Sequence, residues 1–287
     1  MKNFDRQYRL SAGKAGGTGF EIGEPAGPQN MPLHISFGIE RTDLESQNTA
    51  TVTVWNLSPA HIQALNEEDC VVVLKAGYGS TMPLIFTGVV TRVETQLDGA
   101  DMATEIELVD TRVELRDTYV SLSYTGTINA KKVIEDTAGQ MGVTVSYSYN
   151  AEAELVDIPN GYSYIGQAKN VLSKMCDCCG LSWSIQNGVL QIKKPGDTML
   201  REVFLLSPDT GLVGIPKKIT VSKEDSSKKG ESGWEVEYLM NAAINIDDYV
   251  RLESKHVTGY FRVSKVKIEG DNFGSNWTCV AELLEVE

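Results

Sequence analysis

The chain has 287 residues, 41% apolar and 23% charged, which is the composition of an ordinary soluble protein with enough material for about two domains. Its formal net charge of −13 argues against a surface that grips nucleic acid through phosphates, but not against one that nucleic acid slides past. The five cysteines are odd in number and three crowd into Cys176–Cys179, so they are no secreted disulfide framework. MKNFDRQYRL lacks the apolar core of a signal peptide, and no apolar run reaches the ~20 residues that span a bilayer. A chain made and kept soluble in a reducing cytoplasm is expected.

Residues 1–30 alternate short β-like pieces with glycine–proline loops. GKAGGTG lacks the spacing of a phosphate-binding loop. From Leu33 the pattern turns to strands: Leu33, Ile35, Phe37 and Ile39 alternate with polar or small residues, then Val52 and Val54 share a face. Ser58 as N-cap and Pro59 at the first helical position predict a short helix over SPAHIQAL. CVVVLKAGY, PLIFTGVVTRVET and ATEIELVDTRVEL continue the strands, with Gly88 a bulge candidate and Leu97-Asp98-Gly99 a tight turn.

Between Ile128 and Lys194 one unit occurs twice. AKKVIEDTAGQMGVTVSY (Ala130–Tyr147) superposes on AKNVLSKMCDCCGLSWSI (Ala168–Ile185), with Gly142 falling on Gly180. Each copy predicts a helix, a glycine stop and a strand. Asn129 caps the first helix, whose face is Ala130, Val133, Ile134, Thr137, Ala138 and Met141. Val143, Val145, Tyr147 and Tyr149 then alternate as a strand. The second helix is expected to bury Ile165, Ala168, Val171, Leu172, Met175 and Cys179. Pro159-Asn160-Gly161 marks a turn, Asn187-Gly188 a hairpin, and Pro195-Gly196 closes the module. Beyond Glu202 strands resume, with Trp234, Val236 and Tyr238 opposite Glu235 and Glu237, and Lys223–Gly233 as a loop. The boundaries are 1–120 for an N-terminal β-domain, 121–198 for the α/β module and 199–287 for a C-terminal β-domain. The acid lies in the flanks: residues 1–127 hold 9 basic against 17 acidic residues, 128–200 hold 6 against 7, and 201–287 hold 11 against 15.

No catalytic, cofactor-binding or metal-binding residue is assigned. Cys176 and Cys179 have the two-residue spacing of a zinc pair, but no second pair exists and His34, His61 and His256 are scattered. Both cysteines fall on the buried helix side, where small apolar packing is the commoner role. Asp247-Asp248 and Glu67-Glu68-Asp69 could be read as acid/base or metal carboxylates; turn and helix-end roles are more frequent for such runs. Hydrolase, kinase, zincin and dinucleotide signatures are absent.

Four stretches together resemble the baseplate hub proteins of contractile-tailed bacteriophages, similar to the phage late-control protein and the base of type VI secretion spikes. They are LHISFGIERTDLESQNTATVTVWNLSP, SYIGQAKNVLSKMCDCCGLSWSIQNGVLQIKK, LLSPDTGLVGIPKKITV and GYFRVSKVKIEGDNFGSNWTCVAELLEV. The resemblance implies a non-enzymatic structural protein of the virion, made in the host bacterial cytoplasm. Its fold would be mainly β with an α+β insertion: two tail-tube-like β-barrels joined by the small α/β module, which holds them in fixed relation. On that reading Val171→Asp abolishes assembly. The implied partners are two further copies in a homotrimer with pseudo-sixfold symmetry, a tail tube protein or tube initiator above, a central spike below and other baseplate proteins. DNA passes the channel without specific binding, and an acidic lumen would keep it from sticking. A tail-tip cell-wall hydrolase, which needs paired carboxylates or Cys/His in a cleft, and a monomeric carbohydrate-binding module are the alternatives.

Overall fold

The computed structural model describes residues 5–14, 19–23, 32–42, 48–110, 118–186, 189–194, 197, 203–221 and 231–285. The sequence pieces within 15–18 and 24–31, the Asn187-Gly188 and Pro195-Gly196 turns, and most of the 223–233 loop lie outside the described residues. The protein is mainly β with few helices, and it divides into two compact units. One comprises residues 1–42, 48–110 and 203–286; the other is built on 111–202.

In the first unit the period-two patterns become strands β1 (Arg6–Lys14), β2 (Gly19–Gly23), β3 (Ile35–Thr42), β4 (Thr49–Trp55), β5 (Cys70–Tyr78), β6 (Leu84–Asp98) and β7 (Asp101–Val109). The short helix α1 (Pro59–Leu65) starts where its cap predicts, the Ser58 side chain accepting the His61 N–H. β6 turns into β7 through Gly99-Ala100, with Asp98 opposite Asp101; Gly99 supplies the left-handed φ of 65° that such a turn requires. Gly88 is not a bulge. It pairs in register with Val72, and an added Cβ would lie 2.5 Å from the Val109 carbonyl oxygen, so close backbone approach is what requires glycine.

The second unit carries β8 (Tyr119–Tyr124), β9 (Ile128–Asn129), helix α2 (Ala130–Met141), β10 (Thr144–Tyr147), a single turn α3 (Ala151–Glu154), β11 (Asp157–Ile158), β12 (Tyr162–Gln167), helix α4 (Ala168–Cys179), β13 (Ser182–Gln186) and β14 (Val189–Lys193). Each copy of the doubled unit folds as helix, glycine stop and strand, but β10 ends at Tyr147, and Tyr149, expected in it, lies in the turn beyond and is exposed. Asn129 caps α2 by accepting from Lys131 N–H, and both helices stop on a left-handed glycine, Gly142 at φ 72° and Gly180 at φ 65°. β10 and β13 flank β14, the first parallel and the second antiparallel. The six-residue α2 face and the α4 face share one core with Trp183, Leu190 and Ile192. Ile165 departs from expectation: it lies in β12, before the helix, and is 81% exposed. Strand alternation places Tyr164 inward and Ile165 outward, and a helical count begun three residues early puts it on the wrong side.

The first unit is completed by β15 (Val203–Leu206), β16 (Leu212–Val221), β17 (Glu231–Leu239), β18 (Tyr249–Glu253), β19 (Thr258–Asp271) and β20 (Trp277–Glu285). These join β1–β7 in one sheet of order β16-β17-β20-β19-β3-β4-β7-β6-β5-β1-β2, with β18 on β19 and β15 on β18. The two β segments are thus linked directly, β19 lying antiparallel to β3 from Lys265↔Thr42 to Asp271↔Ser36. They also share one core, running from Tyr8 and Leu10 to Cys279 and Leu283. The α/β module does not act as the spacer between them.

Candidate functional surface

The large sheet turns one face to the core and the other outward, because its strands alternate over most of their length. The outward face is polar, and the strand registers give its layout row by row. One row reads Lys217, Glu235, Glu282, Lys265 across β16, β17, β20 and β19. The next reads Glu237, Val280, Lys267, Glu40, Thr49. A third reads Glu269, Gly38, Thr51, Glu107, Arg92, and a fourth Thr53, Glu105, Glu94. Eight glutamates and four cations stand on these rows. Every cation is matched: Lys217–Glu235 at 3.0 Å, Arg92–Glu107 at 3.1 Å, Lys267–Glu269, Lys265–Glu40 and Arg92–Glu94. Exposed pairs of this kind add little stability. Their consequence is electrostatic: on these rows carboxylates are in twofold excess and each cation is already paired, which disfavours a phosphate backbone there.

The sheet also contains an internal repeat that the sequence reading missed. The order β3-β4-β7-β6-β5 recurs as β16-β17-β20-β19-β18. The registers superpose residue for residue: Val52 on Ile106 and Thr51 on Glu107 in the first copy match Val236 on Ala281 and Glu235 on Glu282 in the second. Both long hairpins carry a bulge at the same place, between Val90 and Arg92 and between Val263 and Lys265. The extra residue is a hydroxyl in each. Thr91 Oγ1 donates to the Glu107 carbonyl at 3.1 Å, and Ser264 Oγ to the Glu282 carbonyl at 3.2 Å. Its signal is V-[TS]-[RK]-V, Val90–Val93 and Val263–Val266, too short to stand out between segments so far apart.

The residues weighed earlier for chemistry are dispersed. Cys176 and Cys179 are buried among the α4 contacts. Burial, with Cys179 beside it, pushes the Cys178 thiol up to about 11, the wrong direction for a nucleophile. His34 stacks on Trp55 at 3.8 Å and meets Asp271 at 3.0 Å; His61 stacks on Phe20. Among the described residues no group of three or more His, Cys, Asp or Glu is placed to hold a metal ion, and no helix is long and apolar enough to cross a membrane. The 111–202 unit has an open groove of about 400 Å³ beside β8 and α2. Its walls are tied to each other: the Gln140 amide both accepts from Ser121 N–H and donates to Ser121 C=O, and Tyr124 donates to Asp136 at 2.7 Å.

Asp247 and Asp248 are both buried and hold a loop. Asp247 Oδ1 meets Arg262 at 2.7 Å, and Asp248 Oδ2 accepts the Asn245 N–H at 2.7 Å. Burial raises the Asp248 carboxyl to about 6. A raised carboxyl holds its proton more tightly folded than unfolded. Its contribution is therefore complete below the ordinary value near ~4 and is lost as pH rises through about 6. Asp248→Asn is expected to flatten the stability profile between those values and to raise stability at pH 7 by on the order of 2 kcal/mol, read from urea midpoints across pH. An unchanged profile would show that Asp248 does not titrate there.

The fold is similar to that of solved phage tail proteins. The tail protein of Neisseria meningitidis MC58 matches with a TM-score of 0.61 at 12% identity, covering 97% of this chain and 96% of that one. The 43 kDa tail protein of prophage MuSo2 from Shewanella oneidensis matches at 0.62 and 11%, covering 98% and 100%. A type VI secretion system component of E. coli matches at 0.56 and 8%, covering 89% and 74%. At these identities the likeness concerns the fold. No curated protein matches in sequence. The profile of the baseplate hub gp41 family matches residues 18–267, and the chain belongs to that family. It is a structural protein of the phage tail baseplate.

Proposed function

We propose that three copies of this chain close into a ring that joins a six-fold tail tube to a three-fold spike and lines the channel through which DNA leaves. The observation that carries the reading is the head-to-tail repeat within the sheet. Two copies of the same strand order per chain, times three chains, supply six quasi-equivalent segments, while the single α/β insertion supplies three. Each repeat is one tube-like half of the hub, so the two β segments serve as two tube domains although they share a sheet. The glutamate-rich face is the lumen wall, repelling phosphate as DNA passes. Tail tube, spike and neighbouring baseplate proteins are its partners, and wall-cleaving or piercing activity sits on those partners.

The test is mass and shape in solution, alone and with the spike protein. A trimer, seen as a ring by negative-stain microscopy, is the expected result. A persistent monomer under both conditions sinks the proposal. Converting Glu105 and Glu237 to lysine is expected to give the ring an affinity for duplex DNA roughly tenfold higher at low salt, lost as salt rises. Equal DNA binding before and after the change would place these residues outside the channel.

A further inference from the structure

We propose that the edge of β6 from Arg92 to Asp98 pairs with β16 of a second copy, antiparallel, with Gln96 opposite Lys217 and Glu94 opposite Ile219. The inference rests on the ring reading and names its seam. It follows from the one seam already closed inside the chain.

β19 is used in two halves. Its start pairs with β18, and its end, Lys265–Asp271, pairs with β3. β6 is its counterpart in the other repeat. Its start pairs with β5 as far as Val89, and Arg92–Asp98 pairs with β7 only, among the described residues. At the opposite end of the sheet β16, the counterpart of β3, pairs among the described residues with β17 only. One long edge of each repeat is therefore open, and these two edges are the same two that are joined in β19·β3. Transferring the β19·β3 register through the repeat gives the pairs above. Glu269↔Gly38 becomes Gln96↔Lys217, and Lys267↔Glu40 becomes Glu94↔Ile219.

The side chains support the same seam. Where it is closed, Phe37 lies opposite Gly270, and its ring meets Trp277 edge-on at 5.5 Å, leaving Trp277 1% exposed. Glycine is required there, because a Cβ on Gly270 would fall 2.1 Å from the Phe37 ring. The counterparts of Gly270 and Trp277 are Leu97 and Met102, themselves a cross-strand pair. The counterpart of Phe37, one residue before Lys217, is the buried Pro216 in the β16 bulge, with the exposed Ile215 next to it. In place of Phe37, Gly270 and Trp277 the open edges therefore carry Leu97 and Met102 on one side and Pro216 with Ile215 on the other. In the single chain Leu97 is 75% and Ile215 66% exposed, with Met102 also exposed. Large apolar residues exposed on both open edges, Leu97 on β6 and Ile215 on β16, with Met102 of β7 beside Leu97, are a liability in a monomer and the expected content of an interface. A second copy fits both edges at once. The contact is heterologous, so it propagates head to tail and closes when the rotation allows.

The test is disulfide trapping in a Cys178→Ser background, since the other cysteines are buried. Gln96→Cys with Lys217→Cys is expected to give covalent trimers on mild oxidation, and a mixture of the two single variants only dimers. Arg92→Cys with Lys217→Cys, four residues off register, is the control and is expected to yield at least tenfold less product. Leu97→Asp and Ile215→Asp each alter a side chain exposed in the isolated chain, so folding is kept while the trimer dissociates. A trimer by mass that gives no Gln96–Lys217 product, or as much from the control pair, overturns the seam and leaves the ring. No trimer and no product from either pair at high concentration overturns both.

Discussion

Val171→Asp is expected to unfold the 111–202 unit while the β-sheet unit stays folded. Val171 sits on α4 with no exposed surface, packed in the core that α2 and α4 share with Trp183 and Leu190. An aspartate there loses the valine's burial, about 1.5 kcal/mol or more, and brings a carboxyl into apolar surroundings. The carboxyl takes up a proton rather than remain charged, which still costs several kcal/mol. A total near 4–5 kcal/mol is most of what a unit of this size has to lose. Hydrogen exchange should show protection lost across α2, α4 and β14 and kept in β3, β4 and β19. Loss in both units together would mean that they fold as one. Ring formation should survive, since both edges of the proposed seam belong to the other unit. A module that acts as the spacer between two β-domains predicts the reverse.

Arg41→Ala is expected to cost the sheet unit about 3–5 kcal/mol, the range for breaking a buried charged contact. Arg41 is 3% exposed on the core side of β3. Its guanidinium donates to Asn245 Oδ1 at 2.7 Å and to the Ile85 carbonyl, joining β3 to the start of β6 and to the loop that Asp248 anchors. Burial pulls its pKa down, although Asp110 opposes that shift, so holding the charge inside already has a cost. Removing the side chain leaves two acceptors without their donor, as well as a cavity. Arg41→Met keeps the volume and is expected to lose less than the alanine variant. A midpoint shift under 1 kcal/mol for Arg41→Ala would mean that water replaces the guanidinium at no cost.

Arg41 was within reach of the sequence. Ile35, Phe37 and Ile39 set the inward register, and position 41 continues it, so a charged residue at an inward position marked a buried site. Gly270 was not, because its requirement comes from Phe37, more than two hundred residues away. Gly88 is similar: its neighbour Val109 belongs to another strand, and a local reading could only suggest a bulge.

The sequence by itself determined what depends on neighbours along the chain. Helix faces, the left-handed stops at Gly142 and Gly180, the Ser58 and Asn129 caps and the alternation of β17 all follow from periods of 3.6 or 2 and from single-residue backbone preferences. It also carried the resemblance to a baseplate hub, and the acidity of its flanks. Tertiary structure alone decided which strands pair. Alternation marks a strand's two faces but does not specify its neighbour, since every backbone edge offers the same donors and acceptors. For that reason the joining of the two β segments in one sheet, and the repeat within it, became visible only through registers. The α/β module, so legible in sequence, is an insertion; the join that organises the β unit is β19 on β3.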